Sequence, residues 1–571
     1  MKRLDVDILV IGAGPCGLML ANELGRRGIS TRIVDQEAGV ATAPKANATQ
    51  ARSMEHYRRL GFAEQIRALG LPGDYPTDIA YFTTFSGYEL ARHEQPPSGE
   101  AATRIRELAH VWNGAELPHR VPQSLVEKVL FQHADRLQSV DITFNWRALD
   151  FKEHGDHVLT RLVHTRSGDT ETVRSRYLFA ADGGTSVIRK QLGISYVGGD
   201  AAQRDFMGGR MLSIYIDAPA FYDAIKVPRA WMYWTFNRRR RALLAATDGR
   251  GRFVMQTQLR KHEDPDAMTE AEAGHLFIQA VGREIPFKVT GIASWLAGRA
   301  LVAERYGRGR VLLGGDAVHL FTPTGGMGYN TAIEDAVNIG WKLAAVVRGQ
   351  ADTELLASYE AERRPVALRN TRFAAGFADS IGLFVPSAAI ESEGPAGVAA
   401  RLRAGAYLGQ HGRSEFTIPG FTFGARYNHS PVIPDEDTPL PPDVPTVYVP
   451  SGKPGGRAPH VWRADGSSLF DHFGFDWTLL SFQKDDAVSE LFRSEAVRRA
   501  LDLVHLDLHD DPVACDLYES NYALIRPDQI VAWRGLSANA ATVTQLFDLI
   551  LGYPHALTHT VHGSARPAST A

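Results

Sequence analysis

Apolar and polar positions between Val6 and Asp35 fall into three successive patterns. The continuous apolar run Ile8-Leu-Val-Ile11 has the character of a strand buried on both faces, and it stops at Gly12. A helical stretch follows from about Pro15 to Arg27, and Arg32-Ile-Val-Asp35 closes a second strand. Farther along, Arg52 to Leu60 has a helical pattern that Gly61 closes, and Pro122 to Leu130 has helical periodicity after a proline start. Thr77 to Leu90 and Phe206 to Leu259 are rich in aromatic and β-branched residues with partial alternation, which predicts strands. Thr172 to Ala180 returns to strand and ends in Ala181-Asp-Gly-Gly184, and Gly309 to Asp316 repeats that pattern. A nucleotide-binding fold is therefore expected from separated pieces, with a strand-rich insert near residues 200–295. Pro419 to Pro459, dense in Pro, Gly and Asp, reads as connecting chain, and Trp477 to Gly535 reads as a small α/β domain.

Composition narrows the class. A chain of 571 residues is too long for one core and predicts two or three domains. Hydrophobic content of 44%, charged content of 22% and a net charge of −3 describe a globular protein and do not suggest a nucleic-acid partner. The basic pair Lys2-Arg3 could start an export signal, but Asp5 and Asp7 follow and the apolar run ends in a glycine turn. No run reaches the roughly 18 apolar residues of a membrane span, so no membrane insertion is expected. Cys16 and Cys515 form neither a C-x-x-C pair nor a metal-ligand spacing, so no metal site is expected and a cytoplasmic location fits.

Chemistry gathers in three blocks. In the first, Gly12, Gly14 and Gly17 have the G-x-G-x-x-G spacing, for a tight turn, for approach of a pyrophosphate and for close helix–strand packing respectively. Asp35 stands where a carboxylate accepts from a ribose hydroxyl. The second is Tyr177 to Arg189, where a strand delivers Asp182 and Gly183 to the mouth of the sheet. The third is Gly314 to Asn330: Asp316 ends a strand where a second hydroxyl could be held, and the turn of Gly325, Gly326 and Gly328 leaves N–H groups to face an anionic ring system. Trp231 and Tyr233 are predicted on one face of a strand and Trp234 and Phe236 on the other, either roofing an aromatic pocket or packing a core. Arg238 to Arg241 reads as a solvated turn, and His319 as a proton relay or as a group hydrogen-bonded beneath the Asp316 loop.

With these blocks in this order, the sequence resembles the single-component FAD-dependent aromatic hydroxylases, in the larger phenol hydroxylase-like branch. The C-terminal segments Tyr427 to Pro431, Gly456 to His460, Ser468 to Asp471 and Leu524 to Gly535 carry the resemblance to that branch's thioredoxin-like domain. The resemblance implies an α/β fold: a Rossmann-like FAD-binding domain (1–75, 105–195, 296–375), an inserted β-rich substrate domain (76–104, 196–295), a helical linker (376–418) and a thioredoxin-like domain (419–571) with a structural or dimer-supporting role and no thiol chemistry; a homodimer is expected. It implies FAD on Gly12, Gly14, Gly17 and Asp35, with Arg52 near the phosphates and Lys45 as a further cofactor-binding candidate. Gln123 and Asp316 would lie along the ribityl chain, Asp182 and Gly183 beside FAD and NAD(P)H, and Gly326, Met327, Gly328 and Asn330 against the isoalloxazine. Lys45 stands where many relatives have Arg and lacks that residue's bidentate fork. Asn47, His319, Pro323 and Tyr233 are the candidates on the reacting side, and Asn47, which cannot act as a base, would position substrate or flavin. The implied activity is NADH- or NADPH-driven hydroxylation of a small phenolic or related aromatic substrate with O2, through a flavin hydroperoxide. A Baeyer–Villiger or epoxidising oxygenase on the same fold is the alternative.

Overall fold

A computed structural model describes residues 5–42, 46–200, 208–297, 299–436, 439–484 and 486–554. The apolar run Val6–Ile11 is a central strand of an eight-stranded sheet. It lies parallel to Thr31–Asp35 on one side and to Thr170–Ala180 on the other, with Ile8 opposite Tyr177 and Val10 opposite Phe179. Val311–Leu313 adds a further parallel strand, Leu312 opposite Phe179. This register brings Gly12, Asp35, Asp182 and Asp316 to the same carboxyl edge of the sheet, where ligands bind in open α/β folds. The helix Pro15–Arg26 has proline in its first turn and packs on the 21-residue helix Met327–Val347. Their approach is close enough that a Cβ on Gly340 would stand 2.6 Å from Cβ of Glu23.

The insert is a seven-stranded sheet. Its order is Lys288–Leu296, Arg210–Asp217, Arg252–Gln258, Ala242–Ala246, Met232–Thr235, Ile79–Phe82 and Glu89–His93. Helix Glu270–Val281 packs against its first strand, and helix Gly394–Phe416 lies along the last two. The stretch expected as a linker is thus part of a wall: Cβ atoms on Gly405 and Gly412 would meet Leu90 O at 2.3 Å and the Tyr81 hydroxyl at 3.0 Å. Tyr196–Asp200, expected within the insert, instead pairs with Arg299–Ala303, which pairs in turn with His319–Leu320.

The C-terminal unit is a four-stranded sheet ordered Leu503–Asp507, Trp477–Ser481, Tyr522–Ile525 and Val531–Gly535, with one parallel pair followed by two antiparallel ones. With helices Asp486–Arg498, Pro512–Tyr518 and Ala540–Ile550, this is a thioredoxin-like arrangement with a single cysteine, Cys515, whose thiol lies 3.7 Å from the carbonyls of Phe482 and Leu508. A buried ionic seam joins it to the first unit. Arg526 donates to both carboxylate oxygens of Glu362 at 2.7 and 2.9 Å, and Lys342 lies 2.6 Å from the same group. Arg457 pairs with Glu55 beside it.

Two sequence expectations are revised here. Tyr233 does not share the surface of Trp231: it is fully buried against Phe82, Phe85 and Phe221, with its hydroxyl accepting from Ala230 N. Trp231 precedes the strand and escapes its alternation. Arg238 to Arg241 is not a solvated turn throughout, since Arg240 is buried against Glu263 and Arg241 donates to the carbonyls of Ile381 and Gly382 at the end of a long helix.

Candidate active site

The carboxyl edge of the first sheet and the inner face of the second enclose a cavity of about 1180 Å³. Single-ligand pockets usually hold about 300–1,000 Å³, so this one has room for a dinucleotide and a second molecule. At one end are Gly12, Gly14 and Asp35, with Trp146 and Arg147; Gln123, Asp182, Gly183 and Asp316 also line the wall. At the other are Trp231, Met232, Leu243, Ala245, Val254 and Phe416, with Asn47, Pro323 and Glu415. Gly326, Met327 and Gly328 are part of the same lining.

The glycine turn fits a pyrophosphate for reasons visible in its geometry. Gly12 sits at φ +104°, and a Cβ there would meet Ala181 O at 2.3 Å. A Cβ on Gly17 would meet Gly12 O at 1.9 Å, so this glycine packs the turn and does not face the cavity. Gly14 differs: its φ is −78° and a Cβ would touch nothing within 4 Å, so the missing side chain leaves an open cradle over the N-terminus of helix Pro15–Arg26. That helix has no side-chain cap, which leaves its first N–H groups for an anion. Asp35 holds the turn, accepting from Ala13 N at 2.6 Å and Glu37 N at 2.9 Å. Asp182 accepts from Val187 N at 2.9 Å and so caps the next segment.

The third block is held from behind. Gly325 and Gly326 adopt left-handed φ values of +63° and +65°, which leads the chain into helix Met327–Val347. Asp335 on that helix is wholly buried and lies 2.7 Å from His319 Nε2 and 2.9 Å from Arg363 Nε. Burial would raise its carboxyl, but His319 and Arg363 outweigh it and hold the group below the usual carboxylate range. Gly315 N donates to the same carboxylate at 3.3 Å, so Asp335 fixes the loop that carries Asp316. Burial, with Asp335 and Asp316 nearby, pushes the Cys16 thiol up, which leaves it a packing group.

Several proposed site residues lie elsewhere. Arg52 is not at the phosphates: it is buried against Glu55 and donates to Gln529 Oε1 and Asp528 O of the C-terminal unit, both at 2.7 Å. Asn330 does not face the cavity; it donates to Ala48 O and accepts from Gln50 N and Ser53 Oγ, fixing the loop that carries Asn47. His319 is wholly buried behind the wall, and Tyr233 lies on the far side of its sheet, so neither touches the cavity. Lys45 falls outside the described residues. Glu415, Phe416 and Gln256 line the cavity and were missed, because their positions depend on pairing across the insert and on where helix Gly394–Phe416 docks.

This site defines an α/β dinucleotide enzyme with a second compartment for a substrate. Residues 5–374 match the FAD binding domain family, and residues 451–554 match the family described as aromatic-ring hydroxylase, C-terminal. The chain is 33% identical to aklavinone 12-hydroxylase DnrF of Streptomyces peucetius, over 84% of this chain and 92% of that protein. It is 27% identical to phenol 2-monooxygenase of Pseudomonas sp. (strain EST1001), covering 96% and 93%. The structure of the rebeccamycin biosynthetic enzyme RebC with reduced flavin superposes with a TM-score of 0.85 at 31% identity, over 96% of this chain and 100% of that one. The chain belongs to the single-component FAD-dependent aromatic-ring hydroxylases. It is a flavoprotein monooxygenase that uses FAD, NAD(P)H and O2. Among the described residues no helix is long and apolar enough to cross a membrane, and no group of His, Cys, Asp and Glu could hold a metal ion.

Proposed function

We propose that this enzyme hydroxylates an uncharged phenolic ring on an aromatic molecule seated between the glycine turn of residues 325–328 and the inner face of the seven-stranded sheet. The observation that carries this reading is the substrate end itself: Trp231, Met232, Leu243, Ala245, Val254 and Phe416 form an apolar, aromatic wall, and among its described lining residues no cation waits for a carboxylate. Relatives named for hydroxylating aklavinone and phenol support the substrate class.

FAD, once reduced by NAD(P)H, supplies the activated oxygen. The chain supplies seat and orientation. Gly12 and Gly14 would receive the pyrophosphate, with Gly17 packing their turn, and Asp35 would receive the adenosine ribose. Gln123 and Asp316 would hold the ribityl chain, Asp182 and Gly183 would flank the dinucleotide, and the N–H groups from Gly326 to Gly328 would serve the ring system. Asn47 and Pro323 border the space between flavin and substrate. Closing this space to bulk water protects the reactive oxygen from release as peroxide. A cytoplasmic homodimer is part of the same reading, supported by the thioredoxin-like unit and checked by sedimentation equilibrium of the FAD-loaded protein.

The test uses FAD-loaded enzyme with neutral phenols of one to four rings and their carboxylated counterparts. Neutral phenols should stimulate NAD(P)H oxidation and gain one oxygen by mass. Preference for the carboxylated compounds, or conversion of a ketone to an ester, would overturn the reading.

A further inference from the structure

Among the described residues, the seven-stranded insert brings two polar side chains to the apolar substrate wall, Thr247 and Gln256. Thr247 is committed within the chain, since its Oγ1 donates to Arg252 O at 3.0 Å. Gln256 differs: among the described residues its side chain has no hydrogen-bond partner. Its polar neighbours do not help it. Ser213, opposite it on the next strand, accepts from Trp295 Nε1 at 2.9 Å, and Gln258, two residues on, accepts from Gly208 N at 3.2 Å. On its other flank Leu243 is its cross-strand partner, and Val254 lies two residues away on the same face. A primary amide with two N–H donors and an acceptor oxygen is thus held on an apolar wall and turned to the cavity.

That amide is remote from the end of the wall nearest the flavin. Glu415 Oε1 accepts from Gly325 N at 2.9 Å, and the ring of the next residue, Phe416, meets Trp231 edge-on at 6.1 Å. The turn expected to face the flavin is therefore tied to the side of the wall formed by Trp231 and Met232. Met232 pairs across to Ala245, and Ala245 to Val254, so the strand of Gln256 lies two strands farther on. Two strand spacings are about 10 Å, more than one aromatic ring spans. Water can serve the amide before a substrate enters. A bare hydrocarbon edge would expel that water and leave the amide unpaired, whereas an edge that carries oxygen would restore the hydrogen bond, so the two edges are told apart.

We propose that Gln256 recognises a second oxygen function of the substrate, a hydroxyl or a carbonyl, on the edge of a fused aromatic system remote from the ring that is oxygenated; this rests on the functional reading above. A hydroxyl there donates to the Gln256 side-chain carbonyl, and a carbonyl accepts from its amide N–H. Both are uncharged, in keeping with the apolar wall around them. Gln256 touches no reacting atom. It selects which molecule is held and which ring is presented to the flavin side.

The experiment titrates the FAD-loaded wild type, Gln256→Leu and Gln256→Glu at pH 8 with three neutral two-ring phenols: 1-naphthol, 1,5-dihydroxynaphthalene and 5-hydroxy-1-tetralone. The visible spectrum of the bound flavin reports Kd, and product mass reports oxygenation. The wild type should bind the two compounds with a second oxygen about 10-fold or more tighter than 1-naphthol. Gln256→Leu should erase that preference from both sides, weakening the two oxygen-bearing compounds and tightening 1-naphthol a few-fold. Gln256→Glu, an acceptor without a donor, should keep 1,5-dihydroxynaphthalene and lose 5-hydroxy-1-tetralone. Should Gln256→Leu not fold, that split decides alone. No preference in the wild type, equal shifts for all three compounds, or a preference that survives in Gln256→Leu would overturn the assignment while leaving the functional reading intact. If the FAD-loaded wild type oxygenates none of the neutral phenols of one to four rings, the functional reading fails and the assignment falls with it.

Discussion

The long helix Met327–Val347 has polar chemistry at both ends of its work, and the two regions are built on opposite rules. Toward the cavity, recognition rests on main chain and on missing side chains: the open cradle at Gly14 and the left-handed turn at Gly325 and Gly326. Toward the thioredoxin-like unit, recognition rests on long charged side chains that satisfy one another: Lys342 and Arg526 on Glu362, and Arg526 on Asp528. The cavity is open to something the chain does not contain, whereas the seam is closed by the chain itself. A polar cluster therefore signals a ligand site by groups held in place yet still facing space, and not by charge density alone.

The most complete effect should come from filling the cradle. Gly14→Val adds a branched side chain where the backbone is ordinary and no atom lies within 4 Å, so the protein should fold with the melting temperature of flavin-free wild type and be purified without flavin. A yellow, FAD-saturated variant would remove the distinction drawn above.

The seam should fail differently. Glu362→Gln leaves Lys342 and Arg526 without their shared anion at a site with no exposure, and should cost about 3–5 kcal/mol of stability. The same two cations hold the Glu362 carboxyl far below its ordinary range. A carboxylate with a lowered folded-state value contributes stability above its unfolded value, near pH 4, and that stability is lost as pH falls through the folded value. The wild type should therefore lose stability in acid, and the variant should lose less, as read by denaturant midpoints between pH 3 and 7.

Asp316→Ala should weaken FAD binding by about 1.5–3 kcal/mol, the worth of one hydrogen bond to a charged acceptor, with no change in the apoprotein's melting temperature. Unchanged affinity and unchanged peroxide release would place Asp316 with the structural caps. The smallest effect near neutral pH concerns His119, whose Nε2 contacts the carbonyls of Ile66 and Leu69 at 3.1 and 3.0 Å. Burial, with Arg67 nearby, pushes its value down to about 3, so the unfolded chain takes up a proton near pH 6.5 that the folded one refuses. Stability should fall by about 1.4 kcal/mol for each pH unit below 6.5 from this residue, and His119→Gln should flatten that part of the curve.

The same contrast explains what could be read from the chain alone. The Gly12–Gly17 turn, Asp35 and the Gly325–Gly328 turn are contiguous motifs whose geometry is set by neighbours in sequence, and each lies at the cavity or holds its turn. Arg52 was misplaced because its partners, Asp528 and Gln529, are 476 and 477 positions away, and nothing local distinguishes a phosphate contact from an ionic seam. Tyr233 was misplaced because a period of two describes a strand, while Trp231 stands outside Met232–Thr235 and obeys no such rule. Glu415 and Phe416 end a helix in plain view, but only the docking of that helix on Ile79–Phe82 and Glu89–His93 makes them cavity wall.

The hydrogen bond from Gly325 N to Glu415 also bears on the order of events during synthesis. Chains emerge and fold from the amino end, and the stretch that bears the dinucleotide turns, residues 5–374, leaves the ribosome before the acceptor at position 415 exists. A nascent chain of that length has the cradle at Gly14 but neither the anchor for its last glycine turn nor the wall at Phe416. Tight capture of flavin is thus a late event, and a truncated product released before residue 415 should circulate colourless.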